Sequence, residues 1–158
     1  YVRVCIPTPE QQETDVEVTA GGRSFRCDCL VTGVPHAITF VDGLDEIEVE
    51  HWGRLLRHHE RFAPRGTNVN FVQHTGPSSI RVRTYERGVE DETLACGTGS
   101  SASSILSHLL KGIGDPPIEV KVNGGLLKVD FRIDGDAVRD LRLTGDAVTA
   151  CEGVTGAQ

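Results

Sequence analysis

Along most of this chain, apolar and polar positions alternate in short runs broken by glycine, and a two-residue period predicts strands. Val16 and Val18 alternate with polar neighbours through Asp15 to Ala20, Gly21-Gly22 turns the chain, and Arg23 to Val31 runs back. Two such runs joined by Gly-Gly predict a hairpin. His36 to Val41, Asn68 to Gln73 and Ser79 to Glu86 continue the series, the last setting Ile80, Val82 and Thr84 against Arg81, Arg83 and Tyr85. Ile118 to Val122, Leu126 to Ile133 and Val138 to Leu143 complete it, separated by Asn123-Gly124-Gly125 and Asp134-Gly135. Val2-Arg3-Val4 is strand-like as well.

Two stretches change to a helical period. Val49 to His59 carries Trp52, Leu55 and Leu56 on one face. After Cys96, the residues Ala102, Ile105, Leu106, Leu109 and Leu110 recur at the three- and four-residue steps of an apolar helical face. Gly112 and Pro116-Pro117 stop that helix. Its other positions are small (Ser100, Ser101, Ser103, Ser104), which suits close packing inside a curved sheet. About eight strands with two helices predict an α+β fold in a single domain, residues 1–158. Cys151 to Gln158 reads as a loose tail.

Charge and cysteine usage narrow the setting. Sixteen basic residues against 23 acidic ones give a net charge of -7, which argues against a nucleic-acid partner. Five cysteines without a regular framework point to a reduced, cytoplasmic setting rather than a disulfide scaffold. No apolar run approaches membrane length, and the first residues do not form a signal peptide. The chain begins at Tyr1 and has no methionine, so it reads as a piece of a longer polypeptide.

The candidate chemistry sits at the second helix. Cys96 precedes it, where unsatisfied N–H groups point outward and the helix dipole is positive. A thiol placed there is expected to have its pKa lowered. Gly97 and Gly99 let backbone approach a bound anion closely. A phosphate cradle is disfavoured because no Walker lysine follows, and a dinucleotide fingerprint lacks its third glycine. A buried structural cysteine remains an alternative at this point.

With this cysteine, the Glu86-Arg87 strand end and the Gly33-Val34-Pro35-His36 turn, the chain resembles the C-terminal half of diaminopimelate epimerase over nearly its whole length. The strongest segments are Thr32 to Asp42, Gly66 to Gln73 and Ile80 to Ala102. The resemblance implies a mixed β-barrel wrapped around a central helix, one of two similar domains, with the N-terminal half absent from this chain. It also implies cofactor-independent epimerisation of LL-diaminopimelate to the meso form, with no pyridoxal phosphate and no metal. One thiolate removes the α-proton while a thiol on the opposite face returns one.

By the same resemblance, Cys96 is one of the two acid/base thiols, and the amides of Gly97 and Thr98 hold the reacting carboxylate. Glu86 holds the ammonium, Arg87 clamps the distal carboxylate, Asn68 binds the distal end, and His36 lies near the thiols. Asn70 is easily mistaken for Asn68. Two departures stand out: Val34 replaces a common asparagine, and an acidic Glu90-Asp91 pair replaces a glycine. None of Cys5, Cys27, Cys29 or Cys151 precedes a helix with glycine beside it, so the second thiol is expected from the other half, and the 158 residues alone are expected to be inactive.

Local structural readings stand beside these roles. Glu86 and Arg87 could form a surface ion pair, His36 could be a core histidine satisfied by backbone, and Asn68 could close the Gly66-Thr67 turn. His51, His58 and His59 with Arg54, Arg57, Arg61 and Arg65 read as a solvated basic face rather than a metal site. Rival functions are a proline racemase-like enzyme, against which Arg87 argues, and a non-catalytic binding or assembly module. An apolar face left where the other half docks would also allow a homodimer.

Overall fold

The computed structural model describes residues 1–149, so the expected tail from Cys151 lies outside the described residues. The described elements are β1 (Val2–Cys5), β2 (Glu10–Ala20), β3 (Arg23–Val31), β4 (Pro35–Phe40), α1 (Val49–Arg57), β5 (Asn68–Gly76) and β6 (Ser79–Glu86). They continue with β7 (Asp91–Thr93), α2 (Gly97–Lys111), β8 (Ile118–Val122), β9 (Gly125–Asp134) and β10 (Ala137–Gly145). One sheet holds every strand, in the order β1-β10-β9-β8-β6-β5-β4-β3-β2, with β7 paired to the end of β6. Two pairs are parallel, β4 with β5 and β6 with β8, and their crossovers contain α1 and α2 respectively. The mixed α+β layout is as expected.

The expected barrel does not close. Among the described residues no ladder joins β1 to β2, which lie at opposite ends of the strand order. Both edges are poor partners: β1 is short and exposed, and the first half of β2 is exposed and broken by register shifts before Val16. A cavity of about 260 Å³, lined by Pro9, Gln12, Ile105, Leu109 and Val138 among others, separates the β2 start from β10. The sheet instead curls around α2, which packs against β3, β4, β5, β6, β8, β9 and β10.

That wrapping changes what α2 needs. Residues Gly99 to Ser107 are all buried, so the helix is enclosed on every side over this stretch rather than along one stripe. Leu109 and Leu110, expected on the core face, are 43% and 38% exposed at the far end. Ser101 and Ser104 satisfy their hydroxyls by donating to the carbonyls of Gly97 and Ser100, both at 2.9 Å. Gly112 ends the helix in the left-handed conformation at φ 66°.

Strand β4 and the first half of β5 are buried on both faces, which hides their period, whereas β6 still alternates. One face meets α2 through Ile38, Val72, Ile80 and Val82; the other meets α1 through Ala37, Phe71 and Tyr85. On α1 the core positions are Val49, Gly53 and Leu56. Trp52 packs half-buried against the same cluster, as expected, and with the more exposed Leu55 it crowds the hairpin turn at Gly21. Gly53 lies so close to β6 that a Cβ there would stand 2.3 Å from the Cβ of Tyr85. Helix propensity alone makes Gly→Ala favourable by about 1 kcal/mol. Overpacking costs about 1–3 kcal/mol. Gly53→Ala is therefore expected to lower the urea midpoint, by a net loss of about 1 kcal/mol; a raised midpoint would contradict this packing.

Candidate active site

Strand parity builds the site. The alternation that aims Ile38, Val72 and Val82 at α2 aims His36, Asn70 and Thr84 at the same face. Because β4 and β5 start where β6 ends, these residues gather at one end of the sheet, beside the first turn of α2. Cys96 occupies the position just before that turn, with extended backbone (φ -124°, ψ 108°). Its sulfur lies 3.6 Å from the Thr98 hydroxyl oxygen. Gly99 has no room for a side chain: a Cβ would stand 2.3 Å from Asn70 Oδ1 and 3.3 Å from the Cys96 sulfur.

Burial reverses the expected lowering of the thiol pKa. Cys96 is 6% exposed, and its desolvation pushes the thiol up. The Thr98 hydroxyl and the backbone N–H groups of Gly99 and Thr98 pull it back, while the Glu86 carboxylate opposes them. Burial wins because removing a thiolate from water costs more than these dipoles return. The sulfur nevertheless has polar neighbours, the Thr98 hydroxyl and the backbone N–H groups of Thr98 and Gly99.

His36 is buried but not satisfied by backbone, as a plain core histidine would be. Its Nε2 is 3.0 Å from Thr98 Oγ1 and its Nδ1 is 3.1 Å from Asn70 Nδ2. Burial, aided by the Arg87 cation, holds its pKa down at about 3, so the ring is neutral. Asn68 donates from Nδ2 to the Pro35 carbonyl at 3.0 Å and accepts the Arg87 backbone N–H at 2.8 Å. It thereby fixes Arg87 to the starts of β4 and β5. The Arg87 guanidinium makes one long hydrogen bond, 3.5 Å to the Gly66 carbonyl, and no ion pair among the described residues. Glu86 is half-buried and accepts from the Thr93 hydroxyl at 3.0 Å. Glu86 and Arg87 are thus not each other's partner.

The acidic loop between Arg87 and Cys96 is a set of struts. Glu90 pairs with Arg57 at 2.9 Å and His58 at 3.3 Å, and accepts the Gly88 N–H. Glu92 takes both its oxygens to Arg83, at 2.7 Å each, and accepts from Asn123 at 2.7 Å. The expected solvated basic face is exposed at His51, Arg54, His58, Arg61 and Arg65, with Arg61 paired to Glu13; Arg57, by contrast, is only 14% exposed. The Arg57–Glu90, Asn123–Glu92 and Arg61–Glu13 contacts join residues 33, 31 and 48 apart, so no local pattern announces them. A cavity of about 270 Å³ opens beside Pro35, His36, Gly66 and Thr67 and reaches Arg61 and Arg65; Cys96, Glu86 and Arg87 do not line it. Among the described residues, no group of three His, Cys, Asp or Glu is placed to hold a metal, and no helix is long and apolar enough to cross a membrane.

Asn70 and Thr84 are the residues the sequence reading passed over. The clue was available: Asn68, Asn70 and Val72 share parity, so Asn70 had to face α2 with them.

Comparison with known proteins supplies the context for this geometry. A family model described as diaminopimelate epimerase matches residues 29–149. The diaminopimelate epimerase of Aquifex aeolicus is 41% identical over 147 residues, covering 92% of this chain and 52% of that protein. That of Archaeoglobus fulgidus is 43% identical over 145 residues, covering 90% and 49%. The chain spans about half the length of the curated relatives it matches. Among solved structures, a hydroxyproline epimerase from Agrobacterium vitis superposes with a TM-score of 0.68 at 19% identity, covering 89% of this chain and 48% of the other. A probable proline racemase from Agrobacterium radiobacter K84 gives 0.65 at 16% identity, covering 93% and 53%. At such identities the likeness is one of fold.

Proposed function

Because the chain belongs to the diaminopimelate epimerase family, we propose that it forms part of a cofactor-independent epimerase acting on LL-diaminopimelate. Cys96 is the group that moves a proton at the reacting α-carbon. The observation that carries this reading is the Cys96 sulfur at the first turn of α2, with Glu86 close enough to affect its charge. Beside it, Arg87 is half-buried with its guanidinium unpaired among the described residues.

Inversion needs one thiolate to take the proton and one thiol to return it from the other face. Burial disposes Cys96 toward the thiol form, so it starts as the donor. The second thiol comes from outside these residues. Cys5 is exposed on an edge strand, Cys27 is buried, and burial pushes the Cys29 thiol up to about 12. As the α-proton leaves, charge grows on the substrate carboxylate, and the Gly97 and Thr98 amides at the helix start stabilise it there. Glu86 holds the reacting ammonium. Arg87 grips the distal carboxylate with its forked donors, while Asn68 keeps the Arg87 main chain in place. Proline offers no second carboxylate for Arg87.

The test is a chimera joining these 158 residues to the part of the Aquifex aeolicus relative that the match leaves out. It is expected to epimerise LL-diaminopimelate and to leave proline unchanged; turnover of proline but not LL-diaminopimelate would overturn the substrate assignment. The 158 residues alone are expected to exchange no α-proton with deuterated water above the buffer rate. Enzyme-like exchange by the isolated chain would contradict the need for an outside thiol.

A further inference from the structure

The geometry points to a directed hydrogen-bond chain running from Asn70 through His36 and Thr98 to Cys96. In it, Asn70 and His36 are positioning residues that turn the Thr98 hydroxyl hydrogen onto the Cys96 sulfur. This rests on the reading of Cys96 as the proton-moving thiol.

The direction starts at Asn70, which is fully buried. Its carboxamide has one permitted orientation. The Ala37 carbonyl, 3.3 Å from Nδ2, can only accept, and the Thr84 hydroxyl donates to Oδ1 at 2.9 Å. Nδ2 therefore also donates to His36 Nδ1, 3.1 Å away. A ring nitrogen that receives a hydrogen carries none, so the proton of the neutral imidazole sits on Nε2. Nε2–H then donates to Thr98 Oγ1 at 3.0 Å.

Having accepted from His36, the Thr98 hydroxyl keeps its own hydrogen for the sulfur 3.6 Å away. The Thr32 hydroxyl donates to the Thr98 carbonyl at 3.0 Å and holds the residue in place. In the opposite tautomer the Thr98 hydrogen would be committed to Nε2. The hydroxyl oxygen could then only accept from an S–H, which favours the thiol. Asn70 thus decides, through His36 and three hydrogen-bond steps from the sulfur, whether Thr98 supports the thiolate or the thiol. The titratable groups facing this chain are Glu86, which disfavours the thiolate, and His36 with Arg87 beside it. The chain works against burial and makes the thiolate reachable during turnover.

Two measurements on the 158-residue protein test it. Nitrogen-15 NMR of labelled histidine is expected to show His36 protonated at Nε2 and bare at Nδ1, with the other tautomer populated in Asn70→Ala. Iodoacetamide alkylation, assigned to Cys96 by peptide mass, is expected to shift to higher pH in Thr98→Val and Asn70→Ala. The rate at a fixed pH below the plateau should fall about tenfold, with the plateau itself kept, and Thr98→Ser should restore the wild-type profile. A wild-type His36 protonated at Nδ1, or a Thr98→Val profile equal to wild type, would overturn the inference; the wild-type spectrum decides even if a variant fails to fold. Neither readout is turnover, so an inactive chimera with these results would refute the proposed reaction and leave the chain intact.

Discussion

Replacing Cys96 by alanine in the chimera is expected to lower LL-diaminopimelate epimerisation by about 10³-fold or more, the scale of a lost general acid or base. Cys96→Ser should do no better, because a serine hydroxyl does not give up its proton near neutral pH. The loss should come without unfolding. Cys96 is a small side chain among polar neighbours, so truncation should cost about 1 kcal/mol of stability, readable as a small shift in the urea midpoint. A variant that keeps its activity would remove Cys96 from the reaction; one that unfolds would show that the residue is chiefly structural.

Acid should destabilise the chain through His36. In the folded state burial and Arg87 hold its pKa at about 3, against 6.5 for the free side chain. Between those values the unfolded chain binds a proton that the folded chain refuses. The stability this histidine contributes is therefore full above about pH 6.5 and falls as the pH drops. From pH 7 to pH 5 the loss is about 2 kcal/mol, at most about 1.4 kcal/mol per pH unit. Glu92 does not add to this slope, because its hydrogen bonds from Arg83 and Asn123 outweigh burial and lower its pKa. His74, whose pKa burial also lowers, adds a slope of the same sign. Comparing urea midpoints of wild type and His36→Gln at both pH values isolates His36. The variant should lose much less stability between them; parallel losses would contradict the buried neutral ring.

Much of this fold was legible because most strands carry an ordinary signal. Ser79–Glu86 and Ile118–Val122 fall where alternation and turn residues put them, as does the hairpin across Gly21-Gly22. The failures have physical causes. The start of β2 is exposed on both faces, so nothing in its sequence marks it as a strand. β7 is too short to show a period. α2 looked one-sided because serine counts as polar, yet inside a curled sheet serines pack as small residues and return their hydroxyls to the helix. The grouping of the candidate site was legible: Cys96, Thr98 and His36 do come together, with Glu86 near the sulfur and Arg87 near His36. Its electrostatics were not. A helix start suggested an easily ionised thiol, but the enclosure that opposes it depends on strands distant in sequence.

The most direct measurement of the central claim is alkylation of Cys96 in the chimera, with and without saturating LL-diaminopimelate. A thiol that shares one site with Glu86 and Arg87 should be protected by LL-diaminopimelate and left unprotected by proline. Alkylation at the same rate whether or not LL-diaminopimelate is present would mean that the sulfur faces no substrate, and the account would be wrong.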